Sequence, residues 1–194
     1  MYIKIHFYLF VLLAYVFYKG KLEIFMLFYL SAFTHEVAHV VVSLLLGVEV
    51  MELYFLPFGI NAKYENRLSE RKEILISMAG PIMSLFLALF SKNAFVRMVN
   101  FVIMLLNLVP IYPLDGGRIQ KCIFVKIFGY AKGMKMSEKV SDLFLVLFLI
   151  IAILMGWKFR NYHLLLLTIY LFFLSKSEIK KDRILRIINY LQIE

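Results

Sequence analysis

The sequence predicts an all-α membrane protein: about six transmembrane helices, with a small β-strand or hairpin element in the first cytoplasmic loop. Three observations carry that reading. Hydrophobic residues make up 62% of the 194 residues, whereas soluble domains hold about 45–50%. The mean hydropathy is +0.81, an excess that one small core cannot hide. The apolar residues also fall into runs near the ~20 residues that cross a bilayer, and the 18% charged residues gather between them.

The runs lie near Ile5–Tyr18, Ile24–Val48, Ile74–Phe90, Met98–Pro113, Val140–Trp157 and Tyr162–Leu174. The first and last are short and can thin the bilayer or borrow flanking residues. Five spans result if one of them is interfacial. Lys4 precedes the first run, but no small-residue cleavage pattern follows it, so it reads as a retained span. Basic residues set orientation. Lys63, Arg67, Arg71 and Lys72, the lysines and arginine of 115–139, and the basic tail share one side. Only Lys19, Lys21, Lys92, Arg97, Lys158 and Arg160 fall on the other, which places both termini in the cytoplasm.

In the first cytoplasmic loop, Val48, Val50, Leu53, Phe55 and Phe58 surround Pro57 and Gly59. That mixture of β-branched, aromatic and turn residues reads as one or two short strands. The second loop, Asp115–Lys139, is basic. Ile119, Ile123, Ile127 and Tyr130 recur there at helical spacing, which suits a segment lying along the membrane surface. Residues 1–174 form one polytopic domain, and 175–194 form a short basic amphipathic tail. The net charge of +9 is read as topology and affinity for anionic lipids rather than nucleic-acid binding. Cys122 is the single cysteine; it makes no internal disulfide and no cysteine-based metal site.

The chemistry concentrates in His35-Glu36-Val37-Ala38-His39. Residues i and i+4 share a helix face, so both imidazoles can reach one metal ion. Glu36 can reach a water on that ion without ligating it. Ionisable side chains inside an apolar span are costly and mark function by default. A catalytic zinc takes three protein ligands and a water, so a third is required. His6 and His163 each stand alone in a terminal span and read as structural. Asp115 is the better candidate. It follows Pro110 and Pro113, which break the fourth span, and precedes Gly116 and Gly117, which permit a tight turn. Alone, such an aspartate reads better as a solvated residue of a helix-terminating turn. The expected topology is what brings it to the same leaflet as the histidines.

Together these two motifs resemble the site-2 protease family of intramembrane metalloproteases (peptidase family M50). The likeness is nearest to the stage IV sporulation FB type. Leu56-Pro57-Phe58-Gly59, Ala79-Gly80-Pro81 and the stretch from Asn107 to Arg118 look like that group's landmarks in order. The resemblance implies one Zn2+ per chain, held by His35, His39 and Asp115, with Glu36 as catalytic base. It implies a substrate-positioning role for Asn107, and Pro113, Phe55 and Pro57 join it as candidate substrate-binding residues. It further implies a membrane-tethered protein substrate such as a pro-sigma factor, and membrane-embedded inhibitor or regulator proteins. That type usually carries a C-terminal cystathionine-β-synthase-type domain; this sequence runs to Glu194 without one, so the expectation is either a trimmed chain or a different regulation. Two rival readings remain at this point. One is a housekeeping protease acting on anti-sigma factors or signal-peptide remnants. The other is a metal transporter or metal-binding scaffold without peptidase activity.

The Val48–Phe55 segment is a candidate to receive an unwound substrate by edge pairing. In the third span, Gly80 and Ser84 have the small-xxx-small spacing of close helix packing.

Overall fold

The computed structural model describes residues 2–5, 16–56, 59–64, 68–160 and 162–191. Most of the expected first span, and His6 with it, lies outside the described residues. The chain divides into two compact units, 1–108 and 109–194.

Among the described residues, the first unit holds three strands and three helices: β1 (Tyr2–Ile5), α1 (Leu22–Leu45), β2 (Val50–Leu56), β3 (Gly59–Tyr64), α2 (Glu70–Phe90) and α3 (Ala94–Asn107). The strand-like loop of the sequence is therefore a hairpin, with β2 and β3 antiparallel and Phe55 opposite Ile60. β1 pairs parallel to the other side of β2. This corrects one expectation. β2 is the central strand, so both its rows of backbone groups are used and it offers no edge to a substrate. Among the described residues, the outer edges belong to β1 and β3.

The helices of this unit begin and end for local reasons. Asn93 caps α3, its Oδ1 accepting from the Phe95 and Val96 N–H groups at 2.9 and 3.3 Å. Ser69 occupies the equivalent position before α2. Lys72 Nζ donates to the Leu46 carbonyl at the end of α1, at 2.8 Å, where a cation complements the helix dipole. α3 ends at Asn107 and not at Pro113 as expected. The residue before a proline is pushed out of the helical region, so Pro110 forces the chain into irregular turns before it.

The second unit holds α4 (Asp115–Phe128), α5 (Tyr130–Phe159) and α6 (His163–Leu191). Here two expectations are corrected, and the expected helical tail is extended. Gly116 and Gly117 form no turn; they lie in the first turn of α4. The stretch 115–139 is not one surface segment, because α5 already begins at Tyr130. The last apolar run and the tail are one continuous helix as far as Leu191. Ion pairs hold α6 in place: Lys121 to Asp182 at 3.2 Å, and Lys176 to Asp142 at 2.7 Å.

Among the described residues, α1, α2 and the Tyr130–Lys158 part of α5 are long and apolar enough to cross a membrane, and α3 is a shorter apolar helix. Their outer surfaces fit that reading. On α5, Leu147, Ile150, Ile151 and Leu154 are exposed, as lipid-facing positions should be. This is a membrane protein with several candidate spans.

Candidate metal centre

α1 places Ser31, His35, His39 and Ser43 one turn apart on a single face, and all four are buried. That face packs on α2, which presents Ser77, Gly80 and Ser84, also buried. Pro81 lies inside α2. Its ring has no N–H for the Ser77 carbonyl, so the hydrogen-bond ladder is interrupted beside the histidines.

The two imidazoles are held from behind. His39 Nδ1 lies 2.7 Å from the Ile76 carbonyl oxygen. A carbonyl only accepts, so Nδ1 carries the proton and Nε2 of the neutral ring carries the lone pair. His35 Nδ1 pairs with Ser84 Oγ at 2.9 Å. Such support on the remote ring nitrogen is the usual arrangement behind a metal-ligating histidine. The two Nε2 atoms then face each other at 3.2 Å. A tetrahedral site with zinc–nitrogen bonds of about 2.0–2.1 Å would set two nitrogens about 3.3 Å apart. The geometry therefore suits two ligands of one zinc ion.

Glu36 is half-buried on the same helix, next to His35. Asp115 belongs to the second unit. It is the first residue of α4 and is buried, 7% exposed. A carboxylate there is favoured by the free N–H groups of the helix start. The turn before it is pinned from several sides. The Tyr112–Pro113 bond is cis. Ser141 Oγ of α5 accepts from the Tyr112 N–H at 3.1 Å. Arg118 Nε donates to the Pro113 carbonyl at 3.1 Å. A Cβ on Gly117 would stand 2.3 Å from the Tyr112 nitrogen and 2.4 Å from the Ile111 carbonyl carbon. Gly117 is thus required for the turn to fold back onto α4.

Among the described residues, His35, His39 and Asp115 are the buried candidate metal donors. Two imidazoles and a carboxylate make a donor set that catalytic zinc uses. The remaining predicted positions have local roles. Asn107 ends α3, with Nδ2 donating to the Ile103 carbonyl at 3.0 Å. Pro113 is half-buried in the turn before α4. Phe55 lies in β2, and Pro57 lies outside the described residues. His163 is exposed at the start of α6, and Cys122 is buried.

Sequence reasoning missed the polar contacts around the histidines. Asn100 of α3 is fully buried. Its Nδ2 donates to Ser31 Oγ at 3.0 Å, one turn before His35, and its Oδ1 has no hydrogen-bond partner. The readable signal was spacing: Ser31 lies four residues before His35 and Ser43 four after His39.

The chain is similar to several known proteins. Residues 90–155 match the model of Peptidase family M50. A zinc metalloprotease of Methanocaldococcus jannaschii is 25% identical over 170 residues, covering 80% of this chain and 49% of the relative. Stage IV sporulation protein FB of Bacillus subtilis is 24% identical over 159 residues, covering 75% of this chain and 55% of the relative. The chain thus spans about half the length of these relatives. The solved structure of the site-2 protease from Methanocaldococcus jannaschii superposes with a TM-score of 0.66 at 24% identity, covering 91% of this chain and 90% of that one. The chain is thus similar to the M50 model over residues 90–155, and its fold is similar to that of the solved site-2 protease.

Proposed function

We propose that this protein is an intramembrane zinc metalloprotease of the site-2 protease type, hydrolysing a peptide bond of a membrane-tethered protein near the cytoplasmic face. The observation that carries the reading is the facing pair of imidazole Nε2 atoms at 3.2 Å, each ring anchored through its other nitrogen, with Glu36 one residue along. In this reading His35, His39 and Asp115 hold one Zn2+. Bound zinc supplies Lewis acidity, acidifying a water and polarising the scissile carbonyl. Glu36 takes the proton from the attacking water and returns it to the leaving amine nitrogen. His39 keeps its Nδ1 proton on the Ile76 carbonyl throughout, which fixes its ring. Asn107 and Pro113 flank the approach to Asp115 in sequence and are the first candidates for contact with substrate. A helical substrate must unwind to be cut. The outer edge of β3 is the place where an extended segment can pair, with Phe55 on the neighbouring strand; Pro57 is a candidate from the sequence alone.

The substrate class follows the sporulation relative: a membrane-tethered pro-sigma factor is the first candidate, with anti-sigma factors and signal-peptide remnants next. About six spans with both termini cytoplasmic complete the proposal, along with regulation by membrane-embedded inhibitor proteins.

The test uses the full chain purified in detergent. Zinc content and cleavage of a membrane-tethered pro-sigma factor are measured for wild type and Glu36→Gln. Wild type should hold one zinc per chain and cleave. Glu36→Gln should keep its zinc and slow at least about 100-fold, the usual contribution of a general base. Equal cleavage by both proteins, or wild type without zinc, would overturn the reading.

A further inference from the structure

Gly80 lies opposite the two histidines, and its surroundings are unusual for a packing glycine. A Cβ built there would stand 2.3 Å from His39 Nε2, 2.5 Å from His35 Nε2 and 2.6 Å from His39 Cε1. Real Cβ contacts essentially never fall below 3.0 Å. The nearest atoms are therefore the donor nitrogens themselves, not the backbone of the neighbouring helix. Gly133 shows the other kind of crowding: its Cβ would meet the backbone of Phe124 and Val125 at 2.5–2.6 Å.

The anchors of both rings also belong to α2. His39 is held by the Ile76 carbonyl and His35 by Ser84. Ile76, Gly80 and Ser84 are spaced four residues apart, so they stack along one helix face. The rings bridge from an anchor at each end across the bare position between them. Neither ring can swing clear of a side chain at 80 and still keep its anchor.

We propose that Gly80 is a positioning residue for metal binding: its missing side chain is the space in which the two Nε2 atoms converge on the ion. This rests on the zinc reading above and goes beyond the helix-packing role that the small-xxx-small spacing suggests. A methyl at 80 displaces both donors at once. It should cost metal affinity even where the helices still pack.

The test compares Gly80→Ala with Gly133→Ala in the full chain, purified in detergent and stripped of metal. Zinc affinity is read by chelator competition, the ligand geometry by the visible spectrum of bound Co2+, and folding by far-UV circular dichroism and melting. Gly80→Ala should fold, lose at least 100-fold in zinc affinity and show an altered Co2+ spectrum. Gly133→Ala should bind zinc as wild type does, whatever its melting temperature. If Gly80→Ala alone does not fold, the same change is made in the His35→Ala/His39→Ala background. With the rings gone, the added methyl should leave that protein folded and melting no lower than its parent.

Folded Gly80→Ala that binds zinc within threefold of wild type, with an unchanged Co2+ spectrum, overturns the proposal alone. So does a methyl that still unfolds the protein lacking both imidazoles. Wild type that binds no zinc overturns the metal reading and this proposal with it.

Discussion

The imidazoles and the carboxylate are built in opposite ways. His35 and His39 stand in the middle of a regular helix, and their positions follow from the 3.6-residue repeat. Their supports, Ile76 and Ser84, sit on a second regular helix. Asp115 stands on the first turn of a helix that follows an irregular stretch with two prolines. Its position depends on how 109–114 folds back. In the proposed donor set the imidazoles are held by periodicity and the carboxylate by one particular turn. A single methyl should therefore disturb the second more than a lost hydrogen bond disturbs the first.

Gly117→Ala is the sharpest way to break the carboxylate side. The new Cβ would meet backbone atoms of Tyr112 and Ile111 at 2.3–2.5 Å, and backbone cannot rotate away as a side-chain tip can. Overpacking of this kind costs about 1–3 kcal/mol, occasionally more. The expected outcome is a fall in melting temperature together with a loss of zinc affinity, because the turn that carries Asp115 must shift. Melting and zinc titration of the variant check both. An unchanged zinc affinity would mean that Asp115 does not depend on this turn.

Ser84→Ala tests the imidazole side with a milder change. It removes the partner of His35 Nδ1 and leaves the His39–Ile76 bond in place. Loss of such an outer support typically costs 10–100-fold in metal affinity. Chelator competition should show a fall in that range with little change in melting. If melting falls and zinc affinity does not, the Ser84 contact serves packing alone.

The same contrast explains what could be read from the sequence. The apolar runs that became α1, α2 and α5 and the His35–Glu36–His39 spacing were legible because both rest on local repeats. The hairpin was legible from β-branched and aromatic residues around Pro57 and Gly59. The central place of β2 was not, since its other neighbour, β1, is more than forty residues earlier in the chain. Nor was the role of Gly117. A Gly-Gly pair after two prolines looks like a turn, and only the fold-back of Ile111 and Tyr112 onto the α4 backbone shows why a helix needs a glycine there. At Gly80 the small-xxx-small spacing pointed to close helix packing, and Gly80 is indeed buried on α2; what the spacing did not show is that the atoms it spares are the histidine nitrogens.

Ser141→Ala is the gentlest probe of the comparison. Ser141 Oγ accepts from the Tyr112 N–H at 3.1 Å and approaches the Pro110 carbonyl at 3.4 Å. It is fully buried, so no water can readily replace it. A buried N–H left without a partner costs about 1–3 kcal/mol. For a chain of this size each kcal/mol lowers the melting temperature by about 2–4 °C. The Gly117 contact and the Arg118–Pro113 bond still hold the turn. Zinc affinity should therefore fall less than in Ser84→Ala, although the loss in stability is larger. The reverse order, with Ser141→Ala weakening zinc more than Ser84→Ala, would mean that the turn, and not the helix pair, sets the geometry of the metal centre.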